Sequence, residues 1–128
     1  MTKREGTLFV AYCNSDAHVI GTGFKIGNAP AMIELGLLDP VTFKTIYTPA
    51  ELFERYRKED INELMTRFPV TRLHYVATDL FTNHMRETID AMDDAMFELY
   101  LKYHFSVCER EDMVGVTHHS LDVFKKDK

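Results

Sequence analysis

Arg72-Leu73-His74-Tyr75-Val76-Ala77-Thr78-Asp79 and Ser120-Leu121-Asp122-Val123-Phe124 are the two stretches whose reading decides the fold. Both are short runs rich in β-branched and aromatic residues, the composition of a pleated, partly buried strand. The first predicts a strand over Leu73 to Thr78. The second predicts a last strand beginning as early as Thr117 and ending at Phe124, with His119, Leu121 and Val123 on one face and His118, Ser120, Asp122 and Phe124 on the other. Between them, Asp79 to Asn83 supplies capping groups for a helix over His84 to Met92, and Asp93 can restart the helix. From Asp94 to Arg110, Phe97, Tyr100, Leu101, His104, Val107 and Cys108 recur at helical spacing, while Glu98, Lys102, Ser106 and Glu109 can face water. That pattern predicts an amphipathic helix lying on a sheet.

Working outward towards the amino terminus, Thr7 to Cys13 is another β-branched and aromatic run, bounded by Gly6 and by Asn14-Ser15-Asp16. It predicts the first strand. Glycines at 21, 23 and 27 then interrupt any period, and Ala29 to Leu35 reads as a short helix ended by Gly36. Thr48-Pro49-Ala50-Glu51 has the form of a capping box with proline at the first helical position, which predicts a helix from Pro49 to about Lys58. Asp60 can cap a second helix carrying Ile61, Leu64, Met65 and Phe68 on one face, until Pro69 stops it. The order strand, helices, strand, helices, strand makes the chain an α/β protein with a three-stranded sheet covered by helices. With no internal repeat, low-complexity segment or dividing linker, residues 1–128 read as a single domain.

Composition narrows the function classes. The 128 residues are 45% hydrophobic and 27% charged, ordinary for a globular chain large enough to bury ~two-thirds of its unfolded surface. No apolar run approaches the ~20 residues of a membrane span, and Met1 to Thr7 lacks the apolar block of a signal peptide, so a cytoplasmic, non-membrane protein is expected. A net charge of −5 disfavours nucleic-acid phosphates as a partner. The two cysteines, Cys13 and Cys108, lie far apart and outside any metal-ligand spacing, so reduced thiols and no metal are expected. Lys125, Lys126 and Lys128 read as a solvated tail.

The Arg72 to Asp79 segment, the stretch Cys108-Glu109-Arg110-Glu111-Asp112-Met113-Val114-Gly115 and the turn Gly36-Leu37-Leu38-Asp39 resemble the C-terminal part of bacterial class I S-adenosylmethionine-dependent methyltransferases. The resemblance implies that Thr7 to Cys13 is strand five of that fold, Leu73 to Thr78 strand six and Ser120 to Phe124 strand seven, the last strand running between the other two. It implies a helical insertion at about 29–68 that helps form the substrate pocket. It also implies that S-adenosylmethionine belongs to an N-terminal half whose glycine-rich turn and ribose-binding acid have no counterpart here, so this chain is expected to hold no cofactor by itself. A strand five without strand four would leave the Thr7 to Cys13 edge open, which predicts self-association through that edge or a cofactor-binding half added in trans.

The candidate site residues fall in two groups. Tyr12, Asn14 and His18 lie near the substrate pocket by resemblance to the family. Asp79, Asn83 and His84 cluster after the second strand, at the carboxyl end where open α/β sheets take ligands, and a carboxylate beside an imidazole can orient a substrate or accept a proton. His104 and Cys108 share a helical face without a third ligand, and His118 and His119 alternate across their strand; both pairs read as packing or hydrogen-bonding groups. The two functional readings are therefore the substrate-side portion of a methyltransferase and, alternatively, a stand-alone α+β module that binds a small ligand or a protein partner.

Overall fold

The computed structural model describes residues 6–51 and 53–127. Met1 to Glu5, Leu52 and Lys128, on which the single-domain, helix and tail readings partly fall, lie outside the described residues. The elements are β1 (Thr7–Asn14), α1 (Ser15–His18) continuing into a π-helical stretch (Val19–Lys25), α2 (Ala29–Glu34), β2 (Arg55–Tyr56), α3 (Lys58–Met65), β3 (Val70–Ala77), α4 (Arg86–Asp90), α5 (Asp94–Val107), α6 (Glu111–Val114) and β4 (His119–Lys126).

The sheet has four strands in the order β2-β1-β4-β3. The last strand does run in the middle, antiparallel to both β1 and β3. The fourth strand replaces a helix. Glu51 N donates to Thr48 O at 3.0 Å and Thr48 N to a Glu51 carboxylate oxygen at 3.3 Å, so the predicted capping box forms only its first turn. The Glu51 carboxylate then holds Arg55 at 3.0 Å, and Arg55 and Tyr56 pair in parallel with Cys13 and Asn14. Meeting the unpaired end of a strand outweighs local helix propensity there.

Other boundaries shift for local reasons. Asp60 sits inside the first turn of α3 rather than at its cap, and its carboxylate accepts from Arg57 N at 2.8 Å, so the helix starts two residues before the predicted cap. Gly36, at φ 73°, closes α2 as predicted, with Leu37 N returning to Met32 O at 2.8 Å. The Asp93 side chain caps α5 through Met96 N at 2.8 Å.

One face of the sheet builds the main core. Tyr12, Tyr75, Ala77 and Phe124 pack with Ile61 from α3, Leu80, Cys108 and Val114 from α6. A second small cluster, Val19, Ala29, Met32 and Leu38, holds the segment after β1 together. The expectation that α5 lies on the sheet does not hold: it contributes no buried side chain, and Met96, Phe97, Leu99, Leu101, Tyr103 and Phe105 are exposed. Asp94, Glu98, Lys102 and Ser106 form a polar stripe, but the apolar residues that cover the rest of the helix surface are not buried by any other described element. No helix among the described residues is long and apolar enough to cross a membrane.

Candidate functional site

The carboxyl ends of β1 and β3 and the start of β4 lie at one end of the sheet, and Thr117 ties them together. This threonine is fully buried. Its backbone carbonyl accepts from Asn14 Nδ2 at 2.9 Å, its hydroxyl donates to Asp79 Oδ1, and the same oxygen accepts from Leu80 N at 2.9 Å. Asn14 also donates to Ser120 Oγ at 2.6 Å. Asn14 and Asp79, from the two predicted groups, are thus brought to one hub, but Asn14 is spent on closing the β1–β4 corner.

Asp79 is the most heavily bonded carboxylate of this end. Besides Thr117 it accepts from His119 N at 3.1 Å and from Asn83 Nδ2 at 2.6 Å. Burial alone would raise its pKa, but these hydrogen bonds and the nearby His119 and His118 outweigh it and hold the carboxyl below its ordinary value. The Nδ1 of His119 stands 3.7 Å from Asp79 Oδ2, and the imidazole itself is more than half exposed. Asn83 therefore serves Asp79 rather than facing a ligand.

His84 is engaged differently. Its Nε2 lies 2.7 Å from Val116 O, and since a carbonyl only accepts, Nε2 carries a proton. Its Nδ1 is buried without a hydrogen-bond partner, and so is Nδ1 of His118, whose ring centre is 4.9 Å away. Burial, and then the neighbouring His84, lower the pKa of His118. Across from them Gly21 packs against the His118 ring, where a Cβ would sit 3.8 Å from Nε2.

His18 lies apart from this hub, in a cavity of about 380 Å³ with Thr22, Asn28, Met32, Glu51 and Arg55. Burial, followed by the charge of Arg55, lowers its pKa. Tyr12 points into the core beside Asp122 and Ser120; its hydroxyl has no hydrogen-bond partner, and burial together with the Asp122 charge pushes it well above the usual phenol range.

An open cavity of about 450 Å³ adjoins the hub, lined by Ala11, Tyr12, Cys13, Phe53, Glu54, Tyr56 and His119. Two of its lining residues, Cys13 and His119, were not read as site residues. Each looks unremarkable in its own segment, and only the pairing of β1 with β4 makes them neighbours. A third cavity, about 360 Å³, lies at the opposite end of the sheet between Leu8, Leu64, Met65, Phe68, Pro69, Val70 and Lys126, and is almost wholly apolar. Among the described residues no group of three or more His, Cys, Asp or Glu side chains is placed to hold a metal. No protein-family model matches the chain, and no curated protein matches it significantly.

Proposed function

We propose that this chain is the substrate-side portion of an S-adenosylmethionine-dependent methyltransferase, contributing the acceptor pocket while a cofactor-binding half supplies the methyl donor. The observation that carries the reading is the arrangement of β1, β4 and β3, with the last strand antiparallel between the other two. That is the arrangement of strands five, seven and six in the class I fold the sequence resembles. The cavity beside Cys13 and His119 lies towards the carboxyl end of β1, next to β2, on the side of the sheet where such folds take their ligands. In a methyl transfer, catalysis is largely the placing of an O, N or C nucleophile in line with the sulfonium methyl, so the aromatic walls Phe53 and Tyr56 need only position the acceptor.

The reading also concerns the outer edge of β1. Because Asn14 N bonds His118 O, the even-numbered residues of β1 face β4, and the amides of Thr7, Phe9 and Ala11 point outward. The edge available for a fourth strand, or for a second copy of the chain, is Thr7 to Tyr12, shorter than predicted because β2 pairs with Cys13 and Asn14.

That same β2 favours a second reading, a stand-alone α+β module binding a small ligand or a protein partner, since it stands in parallel where a preceding strand would have to pair. Calorimetric titration of the chain with S-adenosylhomocysteine, alone and after adding a cofactor-binding half, separates the two. The methyltransferase reading expects no heat with the chain alone and saturable micromolar binding in the mixture that depends on the β1 edge. No binding and no association in the mixture would favour the stand-alone module.

A further inference from the structure

We propose that Cys13, His119 and Asp79 form a nucleophilic thiol site that takes an uncharged carbon electrophile in the cavity beside β1, a reading independent of any methyl transfer. Cys13 and His119 are direct cross-strand partners of β1 and β4. The neighbouring pair, Asn14 and His118, exchanges the ladder hydrogen bond, so Cys13 and His119 occupy a non-hydrogen-bonded position, where facing side chains come closest, with Cβ atoms ~4.5–5.5 Å apart. Both side chains leave the sheet on the same face, and both line the same cavity.

Behind the imidazole stands a carboxylate whose position is fixed. Asp79 is pinned by Thr117, by Asn83 and by the backbone N–H of His119 itself. Its Oδ2, 3.7 Å from His119 Nδ1, favours the tautomer with the proton on Nδ1, which leaves the Nε2 lone pair to act as the base. A thiol, a base and a carboxylate orienting that base are the parts an activated cysteine requires. Cys13 is a free thiol, partly exposed, whereas the other cysteine, Cys108, is buried.

In the step itself, the Sγ–H proton passes to His119 Nε2 as sulfur forms a bond to the electrophilic carbon. The leaving group departs with the electron pair of the bond that breaks, and the imidazolium then gives the proton to the leaving group or to water. No electrons are exchanged with any other reagent. The walls specify the electrophile further. Phe53 and Tyr56 offer aromatic surface, and the Glu54 carboxylate, which accepts from Tyr56 Oη at 3.0 Å, makes the site unfavourable for an anion.

The test is alkylation of the full chain at neutral pH with iodoacetamide, in which Cys13 sulfur displaces iodide, followed by mass spectrometry that resolves Cys13 from Cys108. The expected result is that Cys13 reacts faster than glutathione under the same conditions, and that His119→Ala slows it by at least ~100-fold, the lower end of what a positioned base contributes. Added imidazole should recover part of the lost rate in the His119→Ala protein, which a purely structural role would not produce. Iodoacetate should be disfavoured relative to iodoacetamide, and Glu54→Gln should narrow that difference. Unfolding of the variant would show as Cys108 becoming equally reactive, and His119→Gln then replaces it under the same criterion. A Cys13 rate equal to that of glutathione, or unchanged by loss of the imidazole, overturns the proposal.

Discussion

Arg72 and Asp122 form an ion pair across β3 and β4, Nε to Oδ1 at 2.7 Å, with the Asp122 side chain fully buried in the central strand. The guanidinium also lies over the rings of Tyr75 and Phe124, at 5.5 and 5.1 Å from their centres. A carboxylate so enclosed is tolerated only with a positive partner, and a second oxygen, Oδ2, already has no hydrogen bond.

Removing that partner should therefore be severe. Arg72→Met is expected to destabilise the chain by about 3–5 kcal/mol, since it leaves a buried charge uncompensated. Adding Asp122→Asn to it should restore a large part of the loss. Urea denaturation of the two variants checks both statements; a near-neutral Arg72→Met would mean that this ion pair does not support the β3–β4 pairing.

Thr117→Val keeps the shape of the side chain but removes the hydroxyl that serves Asp79 and Leu80 N. The buried Leu80 N–H and the half-buried Asp79 carboxylate then lose a partner, and a cost of about 1–3 kcal/mol is expected. Thermal denaturation reads the loss. The same variant frees the Asp79 carboxylate, so the alkylation rate of Cys13 should fall along with stability.

Acid should weaken the fold in two stages. His118 is held below its ordinary 6.5 by burial and by His84, with Asp79 opposing and His119 adding to the effect. A folded-state pKa below the unfolded one means that the unfolded chain takes up the proton first. The stabilisation is thus present above 6.5 and is lost as the pH falls through and below that value. Asp79 likewise is depressed below its ordinary 3.8, so its contribution is present above that value and disappears only in stronger acid. Tm is expected to drop between about pH 7.5 and about pH 5.5, with His118→Gln removing part of that drop, His18 contributing the rest, and Asp79→Asn changing only the later stage. A wild-type Tm constant through the first window would contradict the burial of His118.

Phe9→Pro tests the open edge. The Phe9 amide points away from β4, so proline removes an outward donor without breaking the ladder between β1 and β4. Light scattering is expected to find self-association of the wild-type chain and its loss in Phe9→Pro. A wild-type chain that stays monomeric at high micromolar concentration would exclude pairing through this edge.

Much of the framework was legible because it rests on local chemistry. The β-branched and aromatic run of Thr7 to Cys13, the similar runs around Tyr75 and Val123, the Asp93 cap and the left-handed Gly36 each act over a few residues, and the structure places them where those patterns point. The capping box at Thr48 was equally clear and is only half used, because the unmet end of β1, more than forty residues away in sequence, takes Arg55 and Tyr56 as a strand. The apolar residues of α5 were read as a face for the sheet, yet an amphipathic pattern says only which side avoids water and not which element, if any, covers the other.

The site divides in the same way. Sequence alone located Asp79, Asn83 and His84 after a strand and Asn14 at the end of another, since capping and strand-end positions are local properties. Only the tertiary structure decided that Thr117 joins Asn14 to Asp79, that Arg72 neutralises Asp122 fifty positions on, and that Cys13 faces His119. Those relationships depend on strand register, which is set by the packing of a whole sheet face; a shift of one residue would turn Cys13 and His119 to opposite sides, and no short stretch of sequence records that choice.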